Sequence, residues 1–516
     1  MYHIEHILIQ NFRAVEYEKI PFGKNKTVFV GKNNSGKTSC LKAIEKLLNS
    51  KKIKKRDFHN PKKTLILNAK IKSQDDHFHL KLEAYYDTNG NIIVKNNFSE
   101  AKQKIFLEKL NLIYIPSDRR INSENKENGY IKLIDLILKV KEEGLKEITK
   151  QAHKKLFSMD NKTGRKKTTL LVSLLKLYMY SIRKNNRDFF NVFIIDQPEN
   201  FLHPHATRVI DQILQQIGEF ENTKVFYATH SPELVSNFKK GKYEISDIVF
   251  VKNTDGTAHT KIIKNTDGKY DRIMISLIFK NAYLFFSDAI ILVEGETEKI
   301  SIPNIFENTN LLPYCGEDCK YLSPEQRENY FNLSAKNISV VDVGGKGALY
   351  DWFEFCTELF GKENVVAIID RDENFSIDRD MIQKSIRSIY KVKKIYENDF
   401  PKYNWIVLDG EFESYYKIEV IRGFIQDTLY RRAQAYGKNF SPEKYRQTLE
   451  KLDEKLEKLK DAKKISSVYE HIFNSYFRKY SKPTIAFNLS TWLCQNDGYD
   501  EALLQMLSDI VKKFDH

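Results

Sequence analysis

Two sets of residues in this sequence could handle phosphate groups. The first is the segment Gly31-Lys-Asn-Asn-Ser-Gly36-Lys37-Thr38, in which the spacing is Gly-x-x-x-x-Gly-Lys-Thr. A loop of this kind presents backbone amides to phosphate, a lysine to the β- and γ-phosphates and a hydroxyl to Mg²⁺. The segment therefore predicts a nucleotide site in which Gly31, Asn34, Gly36, Lys37 and Thr38 contact ATP or its Mg²⁺.

Further candidates for this nucleotide site follow in order along the chain. Asp196 ends an apolar run and could hold the Mg²⁺ of the nucleotide, and Gln197 and Glu199 come directly after it. His230 follows the next predicted strand, where it could sense the γ-phosphate. Gln197 can hydrogen-bond a water molecule but cannot accept its proton. Either Glu199 compensates, or hydrolysis is slow and ATP acts mainly as a switch ligand.

The second set consists of carboxylates that close apolar runs in the second half of the chain. Glu294 follows one such run, and Glu298 lies one helical turn later. Asp370 and Asp372 follow another. Parallel sheets collect functional groups at the carboxyl ends of their strands, so we expect these four acids to lie together. Crowded carboxylates repel one another unless a cation is present, and oxygen ligands suit Mg²⁺ or Mn²⁺.

Alternating strand and helix patterns surround both sets, which predicts the α/β class. Residues 64–98 predict a β meander. A charged helical insert is predicted over 424–480, either as a local helical hairpin or as a partner-binding arm. We place an ATPase domain at residues 1–284 and the acidic domain at 285–516. The leucines of the insert repeat like a short coiled-coil seam: Leu449, Leu452, Leu456 and Leu459.

The composition limits the location and the partners of the protein. The net charge of +14 favours a polyanion such as nucleic acid. Five cysteines in 516 residues favour a reducing, cytoplasmic location, with Cys315 and Cys319 as free thiols. No apolar run approaches the ~20 residues that a membrane span needs, so no membrane association is expected.

The P-loop and the motifs after it resemble ABC-type ATPases of the SMC and RecF-like kind, as does the opening segment Ile9-Gln-Asn-Phe-Arg13. Such ATPases bind ATP between two heads, which implies a homodimer or a higher homo-oligomer. The resemblance assigns the signature helix to a segment that begins at Thr163-Gly-Arg165, and a side loop that senses nucleotide to Tyr114–Arg119. The relatives carry glutamate where this chain has Gln197.

The acidic motifs Glu294-Gly-Glu-Thr-Glu298 and Asp370-Arg-Asp372 resemble a Toprim domain, with a glycine turn at Val341-Asp-Val-Gly-Gly-Lys346 between them. A P-loop ATPase followed by a Toprim domain is the arrangement of the OLD-family nucleases, which include Gabija-type and retron-associated proteins. The resemblance implies an α/β fold, with an ABC/SMC-like ATPase domain followed by a parallel-sheet Toprim domain that carries the helical insert.

The family resemblance also supplies one more acid and one lysine. Glu413 matches the acid and is preferred to Glu411, and Lys482 matches the lysine, with Lys479 as its rival. The implied reaction is two-metal phosphodiester hydrolysis. The metal ligands of the Toprim domain would be Glu294, Glu298, Asp370, Asp372 and Glu413, whereas Thr38 and Asp196 would hold the Mg²⁺ of ATP.

Taken together, these motifs predict an ATP-regulated DNA endonuclease of antiphage defence, dependent on Mg²⁺ or Mn²⁺. The implied partners are DNA, including single-stranded or phage DNA, and a helicase-like protein or a reverse transcriptase with its nucleic acid. Two alternatives remain open at this point. One is a non-cleaving ATPase that binds DNA or a partner complex as a sensor or scaffold. The other is a toxin that cleaves RNA, such as tRNA, with the same site.

Overall fold

The computed structural model divides the chain into two compact units, Met1–Phe286 and Ser287–His516. We refer to them as unit 1 and unit 2. The residues that the structure describes are 2–50, 52–73, 76–119, 129–138, 147–151, 154, 164–185, 189–235, 247–263, 273, 276–372, 375–435, 441–457, 465–476 and 482–514.

Unit 1 contains two sheets, built from strands β1 (His3–Phe12), β2 (Val15–Pro21), β3 (Lys26–Val30), β4 (Leu65–Lys72), β5 (His77–Tyr86), β6 (Ile92–Asn96), β7 (Leu110–Ile115), β8 (Phe190–Asp196), β9 (Thr223–Thr229), β10 (Asp247–Thr254) and β11 (Thr257–Ile263). One sheet has the order β2-β1-β4-β5-β6 and the other β11-β10-β3-β9-β8-β7. The principal helices are α1 (Lys37–Leu48), α2 (Ala101–Glu108), α3 (Gly129–Leu138), α4 (Gly164–Asn185) and α5 (Pro204–Gly218).

The two sheets of unit 1 differ as their sequence patterns require. Alternate residues of β4 and β5 are buried, and the antiparallel pairing of β4, β5 and β6 confirms the meander predicted over 64–98. In the second sheet, β3, β8 and β9 are buried along their whole length and pair in parallel. The carboxyl ends of these strands therefore meet at one edge of the sheet. The P-loop follows β3 at this edge, and Asp196 is the last residue of β8.

A buried charge cluster connects the first strands of unit 1 to helix α1. The Asp57 carboxylate accepts hydrogen bonds from Arg13 (2.7 Å) and from the Lys54 amide (3.0 Å), and it pairs with Lys46 at 3.1 Å. Burial alone would raise the pKa of Asp57, but these hydrogen bonds outweigh it and lower the pKa. The carboxylate therefore stabilises the fold in its charged form.

We expect Asp57→Asn to destabilise unit 1 by about 3 kcal/mol at neutral pH, because Arg13 and Lys46 would lose their buried counter-ion. The native pKa is lowered, so this stabilisation is present above pH of about 4 and is lost as the pH falls further. Thermal unfolding of the variant and the wild type should therefore converge in acid. Glu16→Gln breaks an exposed pair with Lys63 and should leave the melting temperature unchanged; equal melting curves for Asp57→Asn and the wild type at neutral pH would contradict the prediction.

Unit 2 is built on a four-stranded sheet of β12 (Ala289–Val293), β13 (Ile338–Asp342), β14 (Val365–Ile369) and β15 (Trp405–Val407). All neighbours are parallel, in the order β13-β12-β14-β15. The next strand in the sequence, β13, lies on one side of β12, and the strand after it, β14, lies on the other side. A topological switch point therefore lies between β12 and β14. The helices are α6 (Glu296–Asn308), α7 (Pro324–Asn329), α8 (Lys346–Phe360), α9 (Phe375–Tyr390), α10 (Ile418–Ala435), α11 (Pro442–Glu457), α12 (Ile465–Tyr476), α13 (Lys482–Gln495) and α14 (Glu501–Lys513).

The predicted helical insert corresponds to α10, α11 and α12. Leu452 and Leu456 of α11 are buried in the same apolar cluster as Tyr469 and Ile472 of α12 and the strands of the sheet. The leucine pattern thus marks a face of α11 that is buried within unit 2, as it would be in a local helical hairpin. Leu459 lies outside the described residues. An amphipathic pattern predicts that a face is covered but does not identify what covers it.

The cysteines differ from the sequence prediction at one place. Cys315 and Cys319 are bonded as a disulfide, in place of the two free thiols expected. They lie one turn apart in a 3₁₀ segment, with their Cα atoms 5.8 Å apart, a separation that a disulfide can bridge. In the described part of the chain, no helix is both long and apolar enough to cross a membrane.

Candidate active site

The nucleotide site of unit 1 is formed by the loop between β3 and α1. Gly31 and Gly36 have φ values of 142° and 108°. A Cβ at Gly31 would lie 2.2 Å from the Val251 carbonyl oxygen, so only glycine fits there. Asn34 is exposed on the loop, also with a positive φ. The two glycines therefore allow the tight backbone turn that a phosphate-binding loop requires.

Lys37 lies within this loop with its ammonium group among oxygen acceptors. The Nζ atom donates to the carbonyl oxygens of Gly31 (2.8 Å) and Lys32 (2.5 Å), and burial lowers the pKa of Lys37 to about 8. The side chain is buried, so its charge is only weakly screened by water. A cation held in this way is suited to binding the phosphates of a nucleotide.

Thr38 and Asp196 meet although 158 residues separate them in the sequence. The Thr38 hydroxyl donates to Asp196 Oδ2 at 3.0 Å, while Asp196 Oδ1 is buried without a hydrogen-bond partner. Burial raises the pKa of Asp196, against the lowering effect of Thr38 and the positive charges of Arg119 and Lys37. A buried carboxylate oxygen that lacks a partner, beside a hydroxyl, fits the Mg²⁺ that accompanies a nucleotide.

Gln197 contacts the predicted γ-phosphate sensor. Its amide nitrogen lies 2.6 Å from His230 Nε2, and its Oε1 accepts a hydrogen bond from Asn200 at 2.7 Å. Burial, followed by the positive charge of Lys37, lowers the pKa of His230 to about 4. His230 is therefore neutral at pH 7, and its Nε2 can accept a hydrogen bond from Gln197.

Glu199 is held away from this contact. Its Oε1 accepts hydrogen bonds from the Thr229 hydroxyl and the His230 amide, both at 2.8 Å. Burial raises the pKa of Glu199, which makes its charged form costly at this position. The carboxylate thus fixes the backbone that carries His230, whereas Gln197 faces the imidazole ring.

Arg119 has a supporting role that the sequence did not indicate. Its guanidinium group is fully buried and donates to the carbonyl oxygens of Asp196 (3.0 Å) and Gln197 (2.5 Å). The segment predicted to sense nucleotide from the side therefore also holds the backbone around Asp196 in place.

The proposed signature helix is described in part. Thr168, near the start of α4, donates to the Asn200 carbonyl oxygen at 2.9 Å, and Thr163 lies outside the described residues.

In unit 2, the acids from β12 and β14 meet at the switch point of the sheet. The Asp370 amide donates to Glu294 Oε1 at 2.9 Å. Burial raises the pKa of Glu294 to about 7. Burial, together with the charges of Glu298, Glu294 and Glu413, raises the pKa of Asp370 to about 9. The structure therefore brings residues from positions 294, 298, 370 and 413 close enough for their charges to interact.

Glu298 and Glu413 complete this group from two further elements. Glu298 lies in the first turn of α6 and is buried, and burial followed by the charge of Glu413 raises the pKa of Glu298 to about 7. Glu413 lies in a short 3₁₀ turn, Phe412–Tyr415. Glu411, the alternative to Glu413, accepts hydrogen bonds from the amide (2.7 Å) and hydroxyl (2.8 Å) of Ser466 at the start of α12.

Lys346 joins the acids at the N-terminus of α8. Its ammonium group donates to the Asp370 carbonyl oxygen and pairs with the carboxylates of Asp372 and Asp378, each at 2.9 Å. Burial would lower the pKa of Lys346, but the hydrogen bonds from Lys346 to Asp378 and Asp372 outweigh it and raise the pKa. The sequence had placed Lys346 in a glycine turn without assigning it a role. Its position directly after two glycines, at a strand-to-helix turn, was the available signal.

The donor chemistry of this group fits a hard divalent cation. All the candidate ligands are carboxylates. Burial, followed by the charges of the neighbouring acids, raises the pKa of Asp370 and of Glu298, and a cation would relieve the repulsion between these charges. Among the described residues, no three or more His, Cys, Asp or Glu side chains form a ready-made metal-ligand cluster. Instead Glu294 contacts a backbone amide and Asp372 pairs with Lys346. Lys482 begins α13, and its side chain lies outside the described residues, as does Lys479.

We expect Lys346→Met to reduce any metal-dependent cleavage by unit 2 at least tenfold, because Asp370 and Asp372 lose the cation that orients them. One hydrogen bond to a charged group is worth about 1.5–3 kcal/mol, and about 1.4 kcal/mol corresponds to a factor of ten. Initial rates across a metal titration would measure the change. Lys384→Met, at an exposed position of α9, should retain the wild-type rate. An unchanged rate for Lys346→Met would contradict the role assigned to this lysine.

The fold and the two sets of residues define a P-loop ATPase joined to an α/β domain with acids at its switch point. A family model described as "AAA ATPase domain" matches residues 1–169, and one described as "AAA domain, putative AbiEii toxin, Type IV TA system" matches 163–236. A third, "Overcoming lysogenization defect protein-like, TOPRIM domain", matches 285–372. The chain therefore carries an AAA-type ATPase domain and an OLD-like TOPRIM domain, which confirms the predicted resemblance to the OLD family and the predicted fold class.

Curated relatives carry names of the same kind. The "Old nuclease" of Escherichia phage P2 is 26% identical over 37% of this chain and 30% of its own length. The "OLD nuclease" of Thermus scotoductus is 24% identical over 30% of this chain and 26% of its own length, and an "Endonuclease GajA" of Bacillus cereus is 25% identical over the same shares. The chain thus spans about a third or less of each of these relatives.

Solved structures that align with part of this chain include an SMC head and a fragment of an OLD protein. An SMC head bound to the C-terminal winged-helix domain of ScpA aligns with 52% of this chain and 99% of its own, at 14% identity and a TM-score of 0.37. The C-terminal region of the OLD protein of Xanthomonas campestris pv. campestris aligns with 45% of this chain and 95% of its own, at 16% identity and a TM-score of 0.27.

Proposed function

We propose that the protein is an ATP-regulated, divalent-metal-dependent DNA endonuclease that acts in antiphage defence. The observation that carries the proposal is the contact between Glu294 and Asp370 at the switch point of a parallel sheet, with Glu298 and Glu413 close by. The names of the curated relatives, two OLD nucleases and an endonuclease GajA, support nucleic acid as the substrate. The net charge of +14 suits a polyanion.

Glu294, Asp370 and Asp372 would hold one cation, and Glu298 and Glu413 would complete the site for a second. A cation bound there would supply positive charge for the activation of a water molecule and for the stabilisation of the departing 3′-oxygen. The protein's own groups position this chemistry: the Asp370 amide orients Glu294, and Lys346 orients Asp372 and the Asp370 carbonyl. Glu298 is buried, whereas Glu294, Asp370, Asp372 and Glu413 are half-buried, so a water molecule can reach the acids.

A substrate comparison tests the proposal. The purified chain would be incubated with Mg²⁺ or Mn²⁺ and, separately, with supercoiled plasmid, single-stranded DNA and tRNA, with and without ATP. We expect nicking of DNA that requires the metal and changes with ATP. Cleavage of tRNA alone would identify an RNA-cleaving toxin instead. Binding without cleavage of any substrate would favour a non-cleaving sensor or scaffold.

In this proposal ATP acts mainly as a switch ligand, bound between two copies of unit 1 in a homodimer or larger oligomer. Gln197 offers an amide where a base would speed hydrolysis, and Glu199 is held by Thr229 and the His230 amide. ATP binding would rearrange the ATPase heads and control the access of DNA to the acids. A helicase-like protein, or a reverse transcriptase with its nucleic acid, is the partner that we propose for activation.

We expect steady-state ATP turnover well below about 1 s⁻¹, the lower end of common enzyme rates, because neither side chain is poised to take a proton from water. Gln197→Glu, which places a carboxylate beside His230, should raise the turnover at least tenfold in a phosphate-release assay. Glu199→Gln, which retains the oxygen that accepts from Thr229 and His230, serves as the matched control and should keep the slow rate. Rapid turnover that survives Glu199→Gln would contradict the switch role.

A further inference from the structure

A half-open cavity of about 150 Å³ lies beside the acids of unit 2. Three aromatic side chains, Tyr416, Tyr469 and Phe473, line it and are each less than 10% exposed. The rings of Tyr469 and Phe473 are stacked, with centroids 6.0 Å apart and an interplanar angle of 18°. The cavity therefore has an aromatic wall, built by α12 and by Tyr416, which follows the 3₁₀ turn that carries Glu413.

The rim of the cavity is polar. The polar residues that line it are Thr297, Glu413, Ser466, Glu470 and Asn474, of which Glu470 and Asn474 are exposed. Ser466 is fixed there because its hydroxyl donates to Glu411. An aromatic wall with hydrogen-bonding groups at the rim is the usual environment of a small planar ligand.

The cavity is continuous with the acids. Thr297 directly precedes Glu298 in the first turn of α6, and Glu413 belongs both to the rim and to the carboxylate group. The charge of Glu413 contributes to the raised pKa of Glu298 and of Asp370, which places these carboxylates within electrostatic range of the rim. A strand whose phosphate lies at the acids would therefore have a neighbouring nucleotide at this opening.

The charge of the rim selects which part of that nucleotide can enter. Glu470, an exposed acid of the rim, would repel a phosphate. A nucleobase can pack against the aromatic side chains and donate from its amino groups to the Glu470 carboxylate. We propose that the cavity binds one unstacked nucleobase of the strand that lies across the acids, and favours bases with an exocyclic amino group over thymine. The inference deepens the proposed nuclease function and rests on it.

Nucleoside binding tests the cavity without any need for cleavage. The ligands would be guanosine, cytidine and thymidine, which lack phosphate. ATP would be added to occupy the P-loop. Saturation-transfer NMR would then report the contacts of each nucleoside with the full chain. We expect guanosine and cytidine to bind more tightly than thymidine. Phe473→Leu keeps an apolar side chain but removes the ring, and should weaken binding about fivefold or more.

Glu470→Gln should abolish the preference over thymidine without loss of stacking. Glu450→Gln, an exposed acid of α11 outside the cavity, is the matched control and should bind as the wild type does. No nucleoside contact in the wild type, or equal contact in the wild type and both cavity variants, would overturn the proposal.

The cleavage products separate this inference from the proposed function. Sequencing of nick sites should show one position next to the cut at which Glu470→Gln changes the base preference. Cleavage with no such change would overturn the cavity proposal and leave the nuclease assignment in place. Nucleoside binding by a wild-type chain that cuts no substrate would overturn the nuclease assignment and leave a nucleobase site.

Discussion

Glu294→Gln is expected to reduce metal-dependent nicking by at least about a hundredfold while ATP binding stays intact. Glutamine keeps the oxygen that accepts from the Asp370 amide but lacks the charge that would hold a cation, and such a cation stabilises the transition state by several kcal/mol. Burial raises the pKa of Glu294 to about 7, so its charge costs stability at pH 8 and the neutral variant should not melt earlier in EDTA. Plasmid nicking and nucleotide titration would measure the two properties.

The control for this variant lies two residues away. Glu296→Gln removes an exposed charge from the same turn and should nick at the wild-type rate. Asp370→Asn, on the neighbouring strand, should lose activity as Glu294→Gln does, because the two acids belong to one group. Wild-type nicking by both Glu294→Gln and Asp370→Asn would overturn the nuclease assignment.

The sequence predicted those parts of the site that follow from chain direction. A residue directly after a buried parallel strand must lie at the carboxyl edge of its sheet, so the sequence alone places Glu294 and Asp370 together. The same reasoning placed Thr38 and Asp196 near each other. In both cases the backbone alone determines the approximate position.

Side-chain partners at the same edge could not be predicted in this way. Lys346 contacts Asp372 and Asp378 because α8 begins directly at the glycine turn. Side chains in such a turn do not point in a repeating direction, as they do in a helix or a strand, so their contacts cannot be predicted from spacing. Arg119 is a similar case, since its acceptors are backbone carbonyl oxygens that any residue would provide. The cavity depends on α6, α12, α13 and a 3₁₀ turn, which are distant from one another in the sequence.

The two units differ in how completely their residues are prepared for chemistry. In unit 1, Asp196 has a buried oxygen without a partner and Lys37 is held among carbonyl oxygens, so a nucleotide would satisfy groups that are already in place. In unit 2, Lys346 pairs with Asp372 and orients it, but the acids form no ready-made ligand cluster among the described residues, so they must still rearrange to hold a cation.

Lys37→Ala is expected to weaken ATP binding by at least about a hundredfold and to remove the effect of ATP on nicking. The lysine is buried, its ammonium group lies at the P-loop, and two lost charge-assisted hydrogen bonds to phosphate correspond to about 3–6 kcal/mol. The acids of unit 2 are untouched, so nicking without ATP should equal that of the wild type. Isothermal calorimetry and nicking rates at several ATP concentrations would measure both effects.

The matched control is Lys24→Ala, an exposed lysine just before β3, at the opposite end of that strand from the P-loop. It removes the same charge and should keep ATP binding and the response to ATP. If Lys37→Ala abolished nicking even without ATP, ATP binding would not be a separable control of cleavage. If nicking by Lys37→Ala still responded to ATP as in the wild type, the nucleotide that regulates cleavage would have to bind elsewhere than at the P-loop.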